Sequence, residues 1–152
     1  DPLTDRDVRV LHTKTIPQGI AALLNVDDSL SAEENHLTMM KAAEKVSTGL
    51  VTFAARDSSI DGQAVREGQI LGMENGKITT IESNIIQAAF KVTKHLFKRG
   101  SSSLVTLIYG NGASEEDAEE LASLLTAKFG SDIEVCVING GQPVYYFIIS
   151  VE

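Results

Sequence analysis

The sequence predicts a mixed α/β (α+β) fold, with about four helices packed on a sheet of six or seven strands. Three observations carry that reading. Capping residues stand before stretches whose apolar residues recur at helical spacing. Short β-rich runs are bounded by Gly, Asn, Asp and Pro. Hairpin signals alternate with strand–helix–strand units, which calls for a mixed sheet with helices laid on it.

The elements follow in order. Residues 1–7 are polar and read as a disordered or linker segment, which leaves 8–152 as one domain. Val8 to Leu11 is a short strand-like run. Thr15 precedes Ile16-Pro17, a hydroxyl N-cap with Pro in the first turn, and predicts a helix to about Leu24. Asn25 to Leu30 is a loop. Ser31 and Glu34 form a capping box, opening a helix to about Val46 with Leu37, Met40, Ala43 and Val46 at helical spacing. Leu50 to Ala55 is β-rich, bounded by Gly49 and by turn material at Asp57-Ser58-Ser59, and Asp61-Gly62 marks another turn. Ile70 to Glu74 and Lys77 to Ile81 flank Asn75-Gly76, a hairpin signal because both turn residues tolerate φ > 0.

Ser83 opens a helix to about Lys98, closed by Gly100. Leu104 to Tyr109 is a strand. Ser114 and Asp117 start a helix striped by Leu121, Leu124, Leu125 and Phe129 and stopped by Gly130. Ile133 to Ile138 is a strand, Asn139-Gly140-Gly141-Gln142-Pro143 a turn, and Val144 to Val151 a last strand that is apolar at both parities. A strand of that kind is covered on both faces. Four helices leave room for a partner or a neighbouring domain to complete the burial.

Composition excludes several classes. The 152 residues make one compact domain. Thirteen Lys plus Arg against 21 Asp plus Glu give a net charge of −8, which argues against a nucleic-acid binder or a basic membrane-surface patch. No apolar run is long enough to span a bilayer, and no signal peptide is evident. The single cysteine, Cys136, precludes a disulfide within the chain and fits a reducing, cytoplasmic compartment. The chain opens on Asp1-Pro2 rather than Met, which reads as a piece of something longer.

Four loops are candidate sites, each with a plainer reading beside it. Gly140 and Gly141, between Asn139 and Gln142, could cradle an anion on successive N–H groups, or simply connect two strands. Asn111-Gly112-Ala113-Ser114 joins a strand to a helix N-terminus and could hold a phosphate or carboxylate, but lacks the Gly-rich loop and Lys of a nucleotide fingerprint. Lys14 and Gln18 sit at another helix start, where an anion contact competes with plain capping. Arg56, Asp57, Ser58, Ser59 and Asp61 crowd into one loop. A Ser nucleophile there needs a base, and none of His12, His36 and His95 is close in sequence, so a structured turn or docking loop is the simpler reading. The histidines and Cys136 share no metal-ligand spacing, and the Glu115-Glu116-Asp117 run complements a helix dipole.

Several of these segments together resemble one family. Lys14-Thr15-Ile16-Pro17-Gln18-Gly19-Ile20-Ala21-Ala22-Leu23 looks like a block of the A-type component of fatty acid kinase, which is dihydroxyacetone-kinase-like. Thr48-Gly49-Leu50-Val51-Thr52, Arg56-Asp57 and Ile60-Asp61-Gly62 resemble its next block. Ile70-Leu71-Gly72, Asn75-Gly76-Lys77-Ile78, Leu107-Ile108-Tyr109-Gly110 and Asn139-Gly140-Gly141-Gln142-Pro143 follow in the right order. The sequence departs from the pattern at His12, Val144, Tyr146 and Phe147.

The resemblance implies the second subdomain of a DegV and dihydroxyacetone-kinase fold, a two-layer unit with a mixed six-stranded sheet. It implies a parent protein with an N-terminal kinase domain that binds ATP and magnesium, so neither cofactor and no catalytic residue is expected on this piece. It further implies docking of a DegV-like B subunit that carries the fatty acid, and contact with upstream domains of the same chain. Binding of a small acyl or anionic ligand is the alternative reading, and a small Ser hydrolase or phosphatase the third.

Overall fold

The computed structural model describes residues 5–152, so the expected linker over 1–7 lies partly outside them. The chain divides into two compact units between Val46 and Ser47.

In the first unit, the strand expected at Val8 to Leu11 does not form. That run has no ladder partner, and a lone strand cannot satisfy its backbone groups. Helix α1 (Ile16–Leu23) starts where Thr15 and Pro17 place it: the Thr15 hydroxyl accepts from the Gln18 N–H at 3.3 Å. The Gln18 side chain reaches back to accept from the Lys14 N–H at 2.9 Å. Helix α2 (Ala32–Glu44) carries the expected capping box. Ser31 Oγ accepts from the Glu34 N–H at 3.3 Å, and the Glu34 carboxylate accepts from the Ser31 N–H at 2.9 Å and its hydroxyl at 2.7 Å. The two helices pack together, but Leu37 points outward and is 54% exposed.

The second unit holds β1 (Ser47–Phe53), β2 (Ser58–Ile60), β3 (Gln63–Val65), β4 (Ile70–Glu74), β5 (Lys77–Glu82), α3 (Ile85–Leu96), β6 (Leu104–Tyr109), α4 (Glu115–Phe129), β7 (Glu134–Asn139) and β8 (Phe147–Val151). Six strands form one mixed sheet in the order β5-β4-β1-β8-β6-β7, in which β6 and β7 are parallel and the other neighbours antiparallel. Helices α3 and α4 lie side by side on one face, over Val51, Val105, Leu107, Phe147 and Ile149. This is the mixed, helix-backed sheet the sequence predicts. The last strand, β8, sits in the interior of the sheet with all five residues buried, as its apolar run at both parities requires. β2 and β3 form a separate hairpin, with Val65 joining Ala54 and Leu71 in a second cluster.

Several boundaries differ from expectation. Ser58 and Ser59 are strand rather than turn: Asp61 (φ 51) and Gly62 (φ 80) make the hairpin turn two residues further on. Asn84, not Ser83, caps α3, because its side-chain Oδ1 accepts from the Ile86 and Gln87 N–H groups at 2.8 and 3.1 Å. Helix α3 ends at Leu96, before Gly100, since Phe97 turns extended and buries its ring 4.5 Å from that of Phe129. The last strand begins at Phe147 rather than Val144, because Val144 adopts φ 71 and breaks the extended run.

One close approach sets how helix and sheet meet. A Cβ built on Gly49 lies 2.5 Å from Val92 Cγ1, and one on Gly72 lies 2.7 Å from Val92 Cγ2. Neighbouring strands therefore present bare backbone to the same α3 side chain. That is why Gly49 belongs to β1 instead of bounding it.

This packing sets the outcome of substitution at the two glycines. Gly49→Ala and Gly72→Ala each destabilise by about 1–3 kcal/mol, the usual cost of overpacking a filled core. Combined with Val92→Ala, either substitution costs less than the sum of the single changes in urea unfolding, because neighbours in one contact are not additive. At the start of α2, bonding to the Ser31 hydroxyl and N–H holds the Glu34 carboxyl below its ordinary pKa of 4.5. A depressed carboxylate contributes stability that is present above the unfolded pKa and lost as pH falls through the folded one. The 31–35 amides therefore shift on acidification below about pH 4.5 in an NMR titration, and Ser31→Ala raises the midpoint of Glu34.

Candidate functional site

Strand direction gathers three of the predicted loops. β1 and β6 both run antiparallel to β8, and β7 runs parallel to β6, so the carboxyl ends of β1, β6 and β7 lie at one end of the sheet. The segments leaving that end are the one carrying the β2–β3 hairpin, the β6–α4 loop and the β7–β8 loop. Arg56, Asp57 and Asp61 thus share an end of the fold with Asn111 and with Asn139, Gly140, Gly141 and Gln142. Lys14 and Gln18 belong to the first unit, where Gln18 is used in capping.

The β6–α4 and β7–β8 loops are locked together. The Gly110 N–H donates to the Tyr146 carbonyl at 3.0 Å and the Asn111 N–H to the Gln142 carbonyl at 2.8 Å. The Gln142 amide donates to the carbonyls of Ile108 at 3.1 Å and Tyr145 at 3.3 Å. Such close threading excludes side chains. A Cβ on Gly110 would strike the Gln142 and Tyr145 carbonyls, and one on Gly140 would strike Gln142 Oε1 and Ile108. The loops are also tied to β1: the Tyr146 N–H donates to the Val51 carbonyl and the Thr52 hydroxyl to the Val144 carbonyl, both at 2.8 Å. Phe53 and Tyr146 place their rings 6.1 Å apart.

This geometry decides what the loops can do chemically. The Gly140 and Gly141 N–H groups both point at the Tyr109 carbonyl, at 2.9 and 3.3 Å, and so are committed inside the fold. At the α4 N-terminus, Ser114 and Asp117 cap each other, and Glu115 and Glu116 add negative charge to that first turn. An anion meets repulsion there rather than a cradle. Asp57 accepts from the Glu67 N–H at 2.7 Å and braces the segment around the hairpin. Arg56, Asp61, Asn111 and Asn139 are exposed at this end of the sheet, as are Phe53 and Val144 at 41% and 57%. The result is a rigid, mixed polar and apolar surface.

Sequence reasoning missed Phe53, Val144 and Tyr146. Val144-Tyr145-Tyr146 reads as strand, yet the Tyr145 N–H donates back to the Pro143 carbonyl at 2.8 Å, with Val144 between them at φ 71. A β-branched residue in that region is strained by about 1–3 kcal/mol, and such strain collects at functional loops. The position beside Gly-Gln-Pro was the available signal.

No nucleophile–base arrangement serves the Ser58 or Ser59 hydroxyl in the hydrogen bonds of the described residues. A hydroxyl, a carboxylate and a histidine do meet elsewhere, at Thr79, Glu74 and His95, in the wrong order for catalysis. The Thr79 hydroxyl and His95 Nδ1 (3.1 Å) both contact Glu74, so the histidine cannot take the hydroxyl's proton. Among the described residues no group of three His, Cys, Asp or Glu could hold a metal ion, and no helix is long and apolar enough to cross a membrane.

Comparison with known proteins places this arrangement. The FakA-like C-terminal family, the C-terminal region of A-type fatty acid kinase components, matches residues 2–152. Protein YloV of Bacillus subtilis is 38% identical over 150 residues, covering 99% of this chain and 27% of the relative. An uncharacterized protein of Staphylococcus haemolyticus is 37% identical with the same coverage. The chain therefore spans about a quarter of the length of these relatives. In fold it is similar to a DegV family protein of Corynebacterium glutamicum, with a TM-score of 0.61 and 16% identity over 99% of this chain and 66% of the other. A second DegV family protein, from Ruminococcus gnavus and described with vaccenic acid, gives a TM-score of 0.52 and 17% identity over 88% and 54%.

The locked loops predict two stability results, both read from urea or thermal unfolding. Gly140→Ala destabilises by about 1–3 kcal/mol or more, since the added methyl has no space between Gln142 and Ile108. Val144→Gly is more stable than Val144→Ala by about 1 kcal/mol, because only glycine adopts the left-handed backbone without strain.

Proposed function

The chain belongs to the FakA-like C-terminal family of fatty acid kinases, and from that premise we propose that it is the docking and scaffold module of such a kinase. In this reading it recognises a DegV-like B subunit that carries the acyl chain and holds it for a kinase domain elsewhere in the parent protein. That domain supplies the ATP and magnesium, and the assembly is cytoplasmic. The module makes and breaks no bonds itself.

The observation that carries the reading is the convergence of three loops at one end of the sheet. Their internal polar groups are spent on one another, and their exposed residues mix charge with apolar surface. Rigid loops on a packed scaffold are where recognition concentrates. Little reordering on contact keeps the entropy cost of association low.

The test is calorimetry between the purified chain and an acyl-loaded B subunit. Binding is expected, and Arg56→Glu, Asp61→Lys and Asn111→Arg each raise Kd by about tenfold or more where the residue lies at the centre of the interface. Arg56 and Asn111 are exposed and outside the left-handed region, so Arg56→Glu and Asn111→Arg leave the melting temperature unchanged, whereas Asp61→Lys lowers it slightly because Asp61 holds a left-handed turn position. Absence of binding by this chain and by a longer one that restores preceding residues ends the docking reading.

Binding of an acyl ligand by this module itself is the second reading, and the likeness to a DegV family protein described with vaccenic acid favours it. Against it, Val92 fills the space between α3 and the sheet. Two clefts among the described residues, of about 320 and 240 Å3, are lined by charged groups such as Glu82 and Lys91, or Asp7 and Arg9. Native mass spectrometry decides: a co-purifying fatty acid supports that reading, and a bare 16.3 kDa mass removes it.

A further inference from the structure

Strand β5 is an edge of the six-stranded sheet: it pairs with β4 on one side, and among the described residues no strand takes the other side. An edge strand carries a row of unpaired N–H and C=O groups. Helix α3 packs against β4 and β5, and a cleft of about 320 Å3 lies between it and β5. The strand lines this cleft with Thr79, Thr80, Ile81 and Glu82, and the helix with Lys91, Lys94 and His95. A free sheet edge with a helix beside it is a setting in which an extended peptide adds as a further strand.

The two faces of β5 differ. Towards α3, Glu82 pairs with Lys91, and Thr80 packs beside Gly72 under Val92. On the other face Ile78 and Ile81 pack with Ala54, Val65 and Leu71. A strand laid along this edge alternates in the same way. Its residues on the α3 side meet the helix's basic groups, and those between them lie beside Ile78 and Ile81. Charge decides the first set. No residue from 83 to 114 is acidic, in a chain of net charge −8, and four of its 13 Lys and Arg stand at 91, 94, 98 and 99. Glu82 neutralises Lys91, Asp132 neutralises Arg99, and His95 contacts Glu74. Lys94 and Lys98 have no carboxylate partner among the described residues, and the Lys94 ammonium stands 5.8 Å from the centre of the Phe90 ring. The two lysines are four residues apart and so share one side of the helix.

We propose that the β5–α3 groove binds an extended segment of a partner protein in which acidic residues alternate with apolar ones, and that the segment adds to β5 as a strand. Its carboxylates take Lys94 and Lys98, its apolar side chains cover Ile78 and Ile81, and its backbone satisfies the open edge. The register of β5 limits the length. Ile78 pairs with Met73 and Thr80 with Gly72, so Thr79 is left out of the ladder as a bulge, and its hydroxyl turns to Glu74. A bulge breaks up an edge, which keeps it from joining a long foreign sheet and leaves a short stretch for a peptide. The groove uses none of the loop residues assigned above to the B subunit, so the two readings stand or fall separately.

The test is an NMR titration of the isotope-labelled chain with a hexapeptide, blocked at both ends, that alternates glutamate and valine. The amides of Thr79 to Glu82 and of Lys91 to Lys98 are expected to shift together, with a Kd of about 0.1–1 mM. A peptide alternating lysine and valine leaves them in place. Replacing two successive residues of the acidic peptide by proline abolishes the shifts, whereas two alanines at the same positions do not, because proline removes a ladder donor. Lys94→Glu with Lys98→Glu raises Kd about three- to tenfold and leaves amide shifts elsewhere in the chain unchanged. No shift of the β5 amides up to about 5 mM peptide, well above the expected Kd, overturns the groove, as do shifts confined to another part of the chain. Equal binding of the lysine peptide, or an unchanged Kd in the double glutamate variant, overturns the acidic partner. Equal binding of the proline peptide overturns strand addition.

Discussion

The contact of Val92 with the bare backbone of Gly49 and Gly72 is the constraint on which the larger unit depends. Two neighbouring strands give up their side chains at one point so that α3 can descend onto the sheet. Once the helix is that close, Val51, Leu107, Phe147 and Ile149 close around it with no exposed surface left. A close-packed interior of this kind transmits any change in volume, which is why two absent methyl groups matter to the whole layer.

The depth of that packing bears on function through β8. This strand joins the β5-β4-β1 part of the sheet to the β6-β7 part, and its direction puts the carboxyl ends of β1, β6 and β7 together. Loops that are far apart in sequence thereby share one surface. They are held there by backbone hydrogen bonds among Gly110, Asn111, Gln142 and Tyr146 rather than by side-chain packing alone. A scaffold so braced suits recognition of another folded protein. Among the described residues the carboxylates with clear shifts are Asp7, Asp27 and Glu34, all exposed in the first unit.

The two units present different surfaces. The first is small and carries an apolar stripe outward; the second encloses a filled core and carries a polar and apolar loop end. The chain spans 27% of the length of its Bacillus subtilis relative.

Local chemistry alone determined much of the fold. The capping boxes at Ser31 and Ser114, the Thr15 cap with its proline and the Asn75-Gly76 hairpin are legible because each rests on contacts within a few residues. So is the interior place of the last strand, because its apolar run must be covered on both faces. Tertiary structure decided the rest, since its causes are distant in sequence. The run at Val8 to Leu11 lacks a strand to pair with. Gly49 is strand and not boundary because it pairs with Glu74 and Ile149, and its bare backbone leaves room for Val92, 43 positions later. Val144 leaves the extended region where the Thr52 hydroxyl, 92 positions away, donates to its carbonyl. The gathering of Arg56, Asn111 and Gln142 at one end follows from strand order and direction, which no local pattern encodes.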